Sequence, residues 1–342
     1  MDFFERDIAI DLGTNNIMVY VKGKGIALRE PTVVAVDKHS GRLLKVGEDA
    51  QKMLGRTPAN IVPIHPITAG VISDYDITVR LLRELIQRIT SFSLFKPCLI
   101  ITVPGSISGV EERATIDAGI EAGARKVYLL ESSVASALGS GADISKPDGH
   151  MVVDIGGGTT EVGVVSLNGI VESDSIKTAG AEFNEAIVKF IRKKHNLLIG
   201  HKTAEEIKIS IGSALPVNEP ENDEIRGRCL MTGLPRSVSV SANDVADALQ
   251  EPIGHILESV QSVLERTPPE LVGDISQNGI ILTGGGCLAP GIDKILQART
   301  GIRVSIVDDP LTCTAYGAGK MLANLGEMYE GMVNIARKRQ MK

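Results

Sequence analysis

Apolar and polar positions along the 342-residue chain follow two periods, and the switches between them mark the elements. Ile8, Ala9 and Ile10 form a short apolar run that leads into Asp11-Leu12-Gly13-Thr14-Asn15-Asn16. Ile17–Val21 then alternates as a returning strand before the turn Lys22-Gly23-Lys24-Gly25. The same order recurs at Met151-Val152-Val153, followed by Asp154-Ile155-Gly156-Gly157-Gly158-Thr159-Thr160, the strand Glu161–Ser166 and the turn Asn168-Gly169. Each copy predicts a buried strand, an Asp-x-Gly turn and a second strand running back antiparallel. Two unrelated glycine turns are the plain alternative. The shared order of strand, Asp, Gly, hydroxyl residue and strand favours an internal duplication, with a ligand held between the halves.

Between and after the hairpins the period lengthens. Asp76–Thr90 places Val79, Leu82, Leu85, Ile86 and Ile89 at helical spacing, and Val110–Ala122 is amphipathic. A further helix is predicted from about Asn184 to Lys194, with Ile187, Val188 and Ile191 on one face. Ser241–Glu265 reads as one long amphipathic helix, capped by Ser241 or Asn243, kinked at Pro252 and stopped by Thr267-Pro268-Pro269. Ile280–Thr283 is strand-like and runs into Gly284-Gly285-Gly286, and Arg303–Val307 predicts one more short strand. The charged stretch Pro216–Arg228 reads as a surface loop. Strands alternating with helices give the α/β class.

Composition narrows the function classes. The net charge is −6, so no global basic field draws in nucleic acid, and none is expected as a partner. Four scattered cysteines, Cys98, Cys229, Cys287 and Cys313, form no CxxC pair, which argues against a zinc site and a disulfide framework. Each reads as a small buried hydrophobe or an unreactive thiol. The N-terminus carries no secretory pattern, and no apolar run reaches the roughly 20 residues that span a bilayer. A cytoplasmic protein, or one peripheral on the inner face of the cell membrane, is expected.

Three glycine-centred turns follow apolar strands: Asp11–Asn16, Asp154–Thr160 and Thr283–Gly286. Glycine lets backbone approach a ligand closely, and successive N–H groups form a nest for phosphate oxygens. A strand-end Asp beside such a nest suits Mg²⁺, which keeps most of its waters. Two such hairpins face to face would grip the phosphates of a nucleotide from both sides.

These residues carry a resemblance. IDLGTNN, VDIGGGTTE and GIILTGGGCLAPGID resemble the two phosphate loops and the adenosine loop of the actin, hexokinase and heat-shock chaperone ATPase superfamily. KGKGIALREPTVVAVD, GRTPANIVPIHPITAGVISDYD, HNLLIGHKTAEEIKISIGSA, IRGRCLMTGLPR and VDDPLTCTAYGAGK resemble, more specifically, the MreB/Mbl family of bacterial actins over nearly the whole chain. The resemblance implies an actin-like, ribonuclease H-like duplicated fold, with two halves of two subdomains each around a nucleotide cleft. It implies residues 1–30, 68–140 and 318–342 as subdomain IA, 31–67 as IB, 141–180 and 242–317 as IIA, and 181–241 as IIB.

Carried over residue by residue, the resemblance implies that Gly13, Thr14, Asn15 and Asn16 cradle phosphate opposite Gly156, Gly157, Gly158 and Thr159. Asp11 and Asp154 would orient the hydration shell of Mg²⁺. Glu205, Glu206, Ile207 and Lys208 match the segment at the ribose and adenine of ATP or ADP, and Gly285, Gly286, Cys287 and Leu288 would pack on the nucleoside. Without the resemblance, Glu205 and Lys208 read as a solvated helix face.

One position departs from the family. There a Glu directly before a Pro places the attacking water. Aligned without a gap from Val127-Tyr128 to Ala137-Leu138-Gly139, that Glu falls on Ser132, the Pro on Ser133, and the preceding acid on Glu131. A serine hydroxyl is no useful base at neutral pH. Slow hydrolysis is therefore expected, with Glu131, Ser132 and Thr159 as the catalytic candidates; a local backbone shift that brings Glu131 into the site is the alternative.

Four of the six phenylalanines lie at Phe3 and Phe4 and in Ser91-Phe92-Ser93-Leu94-Phe95-Lys96-Pro97. The resemblance implies that Phe3, Phe4, Phe92, Leu94 and Phe95 enter the anionic inner membrane leaflet; packing on the protein itself is the alternative. It further implies self-association into paired antiparallel protofilaments and contact with membrane proteins of cell-wall elongation. An actin-fold small-molecule kinase or a chaperone-type ATPase remains as the competing function.

Overall fold

The computed structural model describes residues 7–55, 57–90 and 96–323. Each sequence hairpin grows into a five-stranded sheet, and the two sheets share one topology. In the first, Ile8–Leu12, Asn16–Val21 and Gly25–Pro31 form an antiparallel meander. Cys98–Val103 and Lys126–Glu131 extend it in parallel on the far side of Ile8–Leu12. In the second, His150–Ile155, Thr160–Ser166 and Gly169–Ile176 form the meander. Ile280–Thr283 and Val304–Ile306 add in parallel beside His150–Ile155. The duplication read from two turns thus extends to five strands in the same order and sense. Register carries it further: Asp11 stands opposite Met18 in one hairpin, and Asp154 opposite Glu161 in the other.

The central strands are buried on both faces, which is why Cys98–Val103 is apolar at every position but Thr102. Between the sheets lie two helices, Ser132–Ser140 and Cys313–Ala323, with Ala9, Ile100, Val152 and Val165 packed around them. Their backbones touch. A Cβ at Gly317 would lie 1.8 Å from the carbonyl oxygen of Ala135, and one at Gly139 would lie 2.0 Å from that of Cys313. Only glycine at both positions allows this crossing.

The outer faces carry the amphipathic helices. Tyr75–Thr90 buries Val79, Leu82, Leu85 and Ile86 against the first sheet. Ala242–Arg266 is capped by Ser241, whose hydroxyl accepts from the Asp244 N–H while the Asp244 carboxylate accepts from the Ser241 N–H. Two three-stranded sheets accompany the large ones. Val34–Asp37 pairs with Leu43–Val46 and Ile61–Ile64, and Asn222–Cys229 pairs with Leu197–Leu198 and Pro235–Ser241.

That last sheet corrects the loop expected at Pro216–Arg228. Asn222–Cys229 is a strand because Ile225 and Cys229 face inward while the charged residues between them face solvent, and Pro235–Ser241 supplies its hydrogen bonds. The helix expected from Asn184 starts at Gly180, because the N–H groups of Gly180 and Ala181 are held by the carbonyls of Gly156 and Gly157. All four cysteines are buried, and none is in a disulfide. Burial pushes the thiols of Cys287 and Cys313 up to about 12 and about 11. Cys229 departs from the expectation of inert thiols, since hydrogen bonds with Thr232 bring it down to about 7.

Candidate functional site

The turns at the ends of Ile8–Leu12 and His150–Ile155 meet across a cleft of about 500 Å³ between the two sheets. Thr14 and Asn15 press onto the opposite turn: a Cβ on Gly158 would sit 2.3 Å from Thr14 Oγ1, and one on Gly157 would sit 2.6 Å from Asn15 Cγ. Thr14 Oγ1 also accepts from the N–H of Gly70, so a third segment closes over the pair (2.9 Å). Gly13, Asn16, Gly156 and Thr159 complete the wall on both sides. The third glycine turn rests on the second. Gly284 has φ +82° and lies so close that a Cβ there would meet Asp154 Oδ1 at 2.3 Å.

Two buried carboxylates face the middle of this cleft. Asp11 Oδ1 accepts from Thr102 Oγ1 at 2.6 Å, and burial raises its carboxyl to about 6. Asp154 Oδ2 accepts from both Ser136 Oγ and Thr314 Oγ1 at 2.9 Å, and burial raises it as well. The two hydroxyls come from the two helices that cross between the sheets, so that crossing fixes where Asp154 stands. Neither acid is in an ion pair among the described residues. Nor do three His, Cys, Asp or Glu side chains gather there as a metal cage. Two carboxylates with no basic partner fit a divalent cation held mainly through water, the habit of Mg²⁺.

At the far end of the cleft the helix His201–Ser210 presents Glu205 and Lys208. Lys208 Nζ donates to Asn184 Oδ1 (2.7 Å) and to the Gly180 carbonyl (3.2 Å), and burial lowers its pKa. Glu206 turns out of the cleft toward Lys202, and Ile207 is in the core. Gly285, Gly286 and Leu288 line the opposite side, while Cys287 is buried behind them. Ser132 lines the cleft as the first residue of its helix, with its hydroxyl donated to the Val103 carbonyl (3.1 Å). Glu131 is not among the lining residues, and burial raises its carboxyl. Phe3, Phe4, Phe92, Leu94 and Phe95 lie outside the described residues.

The sequence reading passed over Glu161, which lines the cleft beside Thr159. Its strand, Thr160–Ser166, is buried throughout, and a lone acid in such a strand was the available signal. Burial raises Glu161 to about 7. Thr314, Thr102, Gly70 and Ile209 were passed over too, because their roles depend on segments far away in sequence.

These raised carboxyls fix the sign of a pH dependence. Between the unfolded and folded pKa values the folded chain holds more protons than the unfolded chain, so stability is lost as pH rises through about 6 for Asp11 and about 7 for Glu161. The nucleotide-free protein should lose roughly a few kcal/mol between pH 5 and 8. Calorimetry across that range checks it; a melting temperature that climbs with pH would mean the acids are compensated in the free protein.

Comparison with known proteins gives a consistent answer. The family model described as MreB/Mbl protein matches residues 5–330. The cell shape-determining protein Mbl of Bacillus subtilis is 46% identical over 95% of this chain and 98% of its own. The cell shape-determining protein MreB of Escherichia coli is 47% identical over 93% of this chain and 94% of its own. Among solved structures, MreB5 of Spiroplasma citri bound to ADP superposes with a TM-score of 0.90 at 34% identity, covering 94% and 97% of the two chains. The MamK double helical filament superposes with a TM-score of 0.79 at 22% identity over 93% and 99%, a likeness of fold.

Proposed function

The chain belongs to the MreB/Mbl family and has the actin-like fold, and from that premise we propose that it is an ATP-binding bacterial actin homologue whose protomers assemble into membrane-associated filaments governing cell shape. The observation that carries the reading is the pair of glycine turns pressed together over two buried carboxylates. The turns Gly13–Asn16 and Gly156–Thr159 would bind phosphate oxygens through backbone N–H groups. Asp11, held by Thr102, and Asp154, held by Ser136 and Thr314, would orient the waters of Mg²⁺. The ion, when bound, neutralises phosphate charge. Glu205, Lys208, Gly285, Gly286 and Leu288 would take the nucleoside.

The division into four subdomains at the boundaries given above belongs to the same proposal. Two local sheets support it: one lies within 31–67 and packs on Val33, Ala35 and Ala50, the other within 181–241. Relatives of this fold form filaments, as the MamK double helix does, and self-association of this chain is proposed on that basis. Among the described residues no helix is long and apolar enough to cross a membrane. Attachment is assigned to Phe3, Phe4, Phe92, Leu94 and Phe95, with the anionic inner leaflet as the surface and cell-wall elongation proteins as neighbours. Each side chain would bury with about 1.5–3 kcal/mol, less the cost of ordering the segment. Many copies along a filament multiply that by avidity.

Sedimentation with anionic liposomes and Mg-ATP, with released phosphate assayed in the same tubes, tests the reading. Nucleotide-dependent pelleting is expected, and Asp154→Ala should abolish it. Phosphorylation of a sugar by a protein that stays in the supernatant would favour a small-molecule kinase instead.

A further inference from the structure

Among the described residues, Glu161 is a buried acid without a basic partner. Its strand places it opposite Asp154, and among the described residues no Lys or Arg pairs with it. It is held instead by neutral donors: the Gly105 N–H reaches Oε2 at 3.1 Å, and Ser175 Oγ reaches Oε1 at 2.8 Å. Gly105 follows a strand of the first sheet, while Ser175 belongs to the second, so the carboxylate is fixed from both walls of the cleft. Burying a charge this way costs stability, which a residue chosen only for packing would avoid. The duplicated position in the first hairpin is Met18, which carries no charge.

Four carboxylates line the cleft: Asp11, Asp154, Glu161 and Glu205. Asp11 and Asp154 face the proposed cation, and Glu205 stands at the nucleoside end. Ser132 has committed its hydroxyl proton to the Val103 carbonyl and offers only a lone pair. Resting on the nucleotide reading above, we propose that Glu161 is the catalytic carboxylate that orients the attacking water and takes its proton, in place of the acid missing at position 132. In this step the water oxygen bonds to the γ-phosphorus as the bond to the β–γ bridging oxygen breaks. The bridging oxygen keeps the electron pair and leaves with ADP. The water proton passes to Glu161 and from there to the released phosphate or solvent.

The test is Glu161→Gln, isosteric and neutral, measured in three ways. Phosphate release under filament-forming conditions should fall at least about a hundredfold. The affinities for ADP and AMPPNP should stay within about twofold of wild type, because the glycine turns that bind the phosphates are untouched. Pelleting with AMPPNP should persist. Unchanged release would overturn the inference, and so would affinity lost in step with release, which would mark Glu161 as structural. Should Glu161→Gln not fold, Ser175→Ala removes one donor from Oε1 and should slow release several-fold at unchanged ADP affinity; wild-type release there would count against the proposal. If the wild-type protein binds nucleotide and pellets but releases no phosphate, this inference fails while the filament reading stands. If it binds no nucleotide, both fail.

Discussion

Ser132→Glu is expected to raise phosphate release at least about tenfold, since a water-positioning or acid–base group is worth about 10²–10⁴ in rate. Position 132 lines the cleft and opens the helix Ser132–Ser140, so a carboxylate there points into the site and meets the positive end of a helix. Serine is too short to do the same and has turned its proton to Val103. Glu131 is the last residue of its strand, and its side chain is not part of the cleft wall. The gain should persist in a Glu161→Gln background, where the new acid would be the remaining water-holding carboxylate. Single-turnover release on purified filaments gives the rate. No change in either background would mean that position 132 has no part in hydrolysis.

A single methyl group at Gly317 should do more damage than most core truncations. Its Cβ would stand 1.8 Å from Ala135 O and 2.7 Å from Gly139 N, all backbone, so no side chain can swing away. The two helices must part, at about 3 kcal/mol or more, which lowers the unfolding temperature by at least about 5 °C. The damage reaches the cleft as well. Ser136 and Thr314 hold Asp154 from those same two helices, so separating them releases the carboxylate proposed to orient the cation. Nucleotide affinity should fall at least about tenfold, as expected when a buried charge-assisted hydrogen bond is lost. Gly254→Ala is the control: it lies inside the helix Ala242–Arg266 with no atom within 4 Å of the added Cβ. It should stabilise by up to about 1 kcal/mol. Scanning calorimetry and fluorescent-nucleotide titration separate the two effects. Wild-type values for Gly317→Ala would disprove the claim that this crossing supports the site.

Much was legible along the chain because its determinants are local. Two Asp-x-Gly turns after apolar runs announced both hairpins, and the period of apolar residues gave the helix Tyr75–Thr90 to within a residue. The capping residue Ser241 identified the start of Ala242–Arg266. The glycine turns also marked the ligand cleft, since only short-range geometry is needed to expose a nest of N–H groups. Where the pattern failed, the missing information came from another segment. The strand Asn222–Cys229 depends on hydrogen bonds from Pro235–Ser241, and the helix beginning at Gly180 depends on carbonyls of Gly156 and Gly157.

By itself, then, the sequence determined the fold class, the duplicated hairpins and the glycine turns that wall the cleft. These follow from side-chain period and backbone freedom over a few residues. Only the tertiary structure decided which charges share the cleft. Of Glu205, Glu206, Ile207 and Lys208 it turns Glu205 and Lys208 inward, because residues three apart on a helix share a face. It brings Ser136 and Thr314, 178 positions apart, onto one oxygen of Asp154. It leaves Glu161 buried between Gly105 and Ser175. A carboxylate's behaviour is set by solvent exclusion and by donors arriving from distant strands, and neither quantity is defined until the chain has folded.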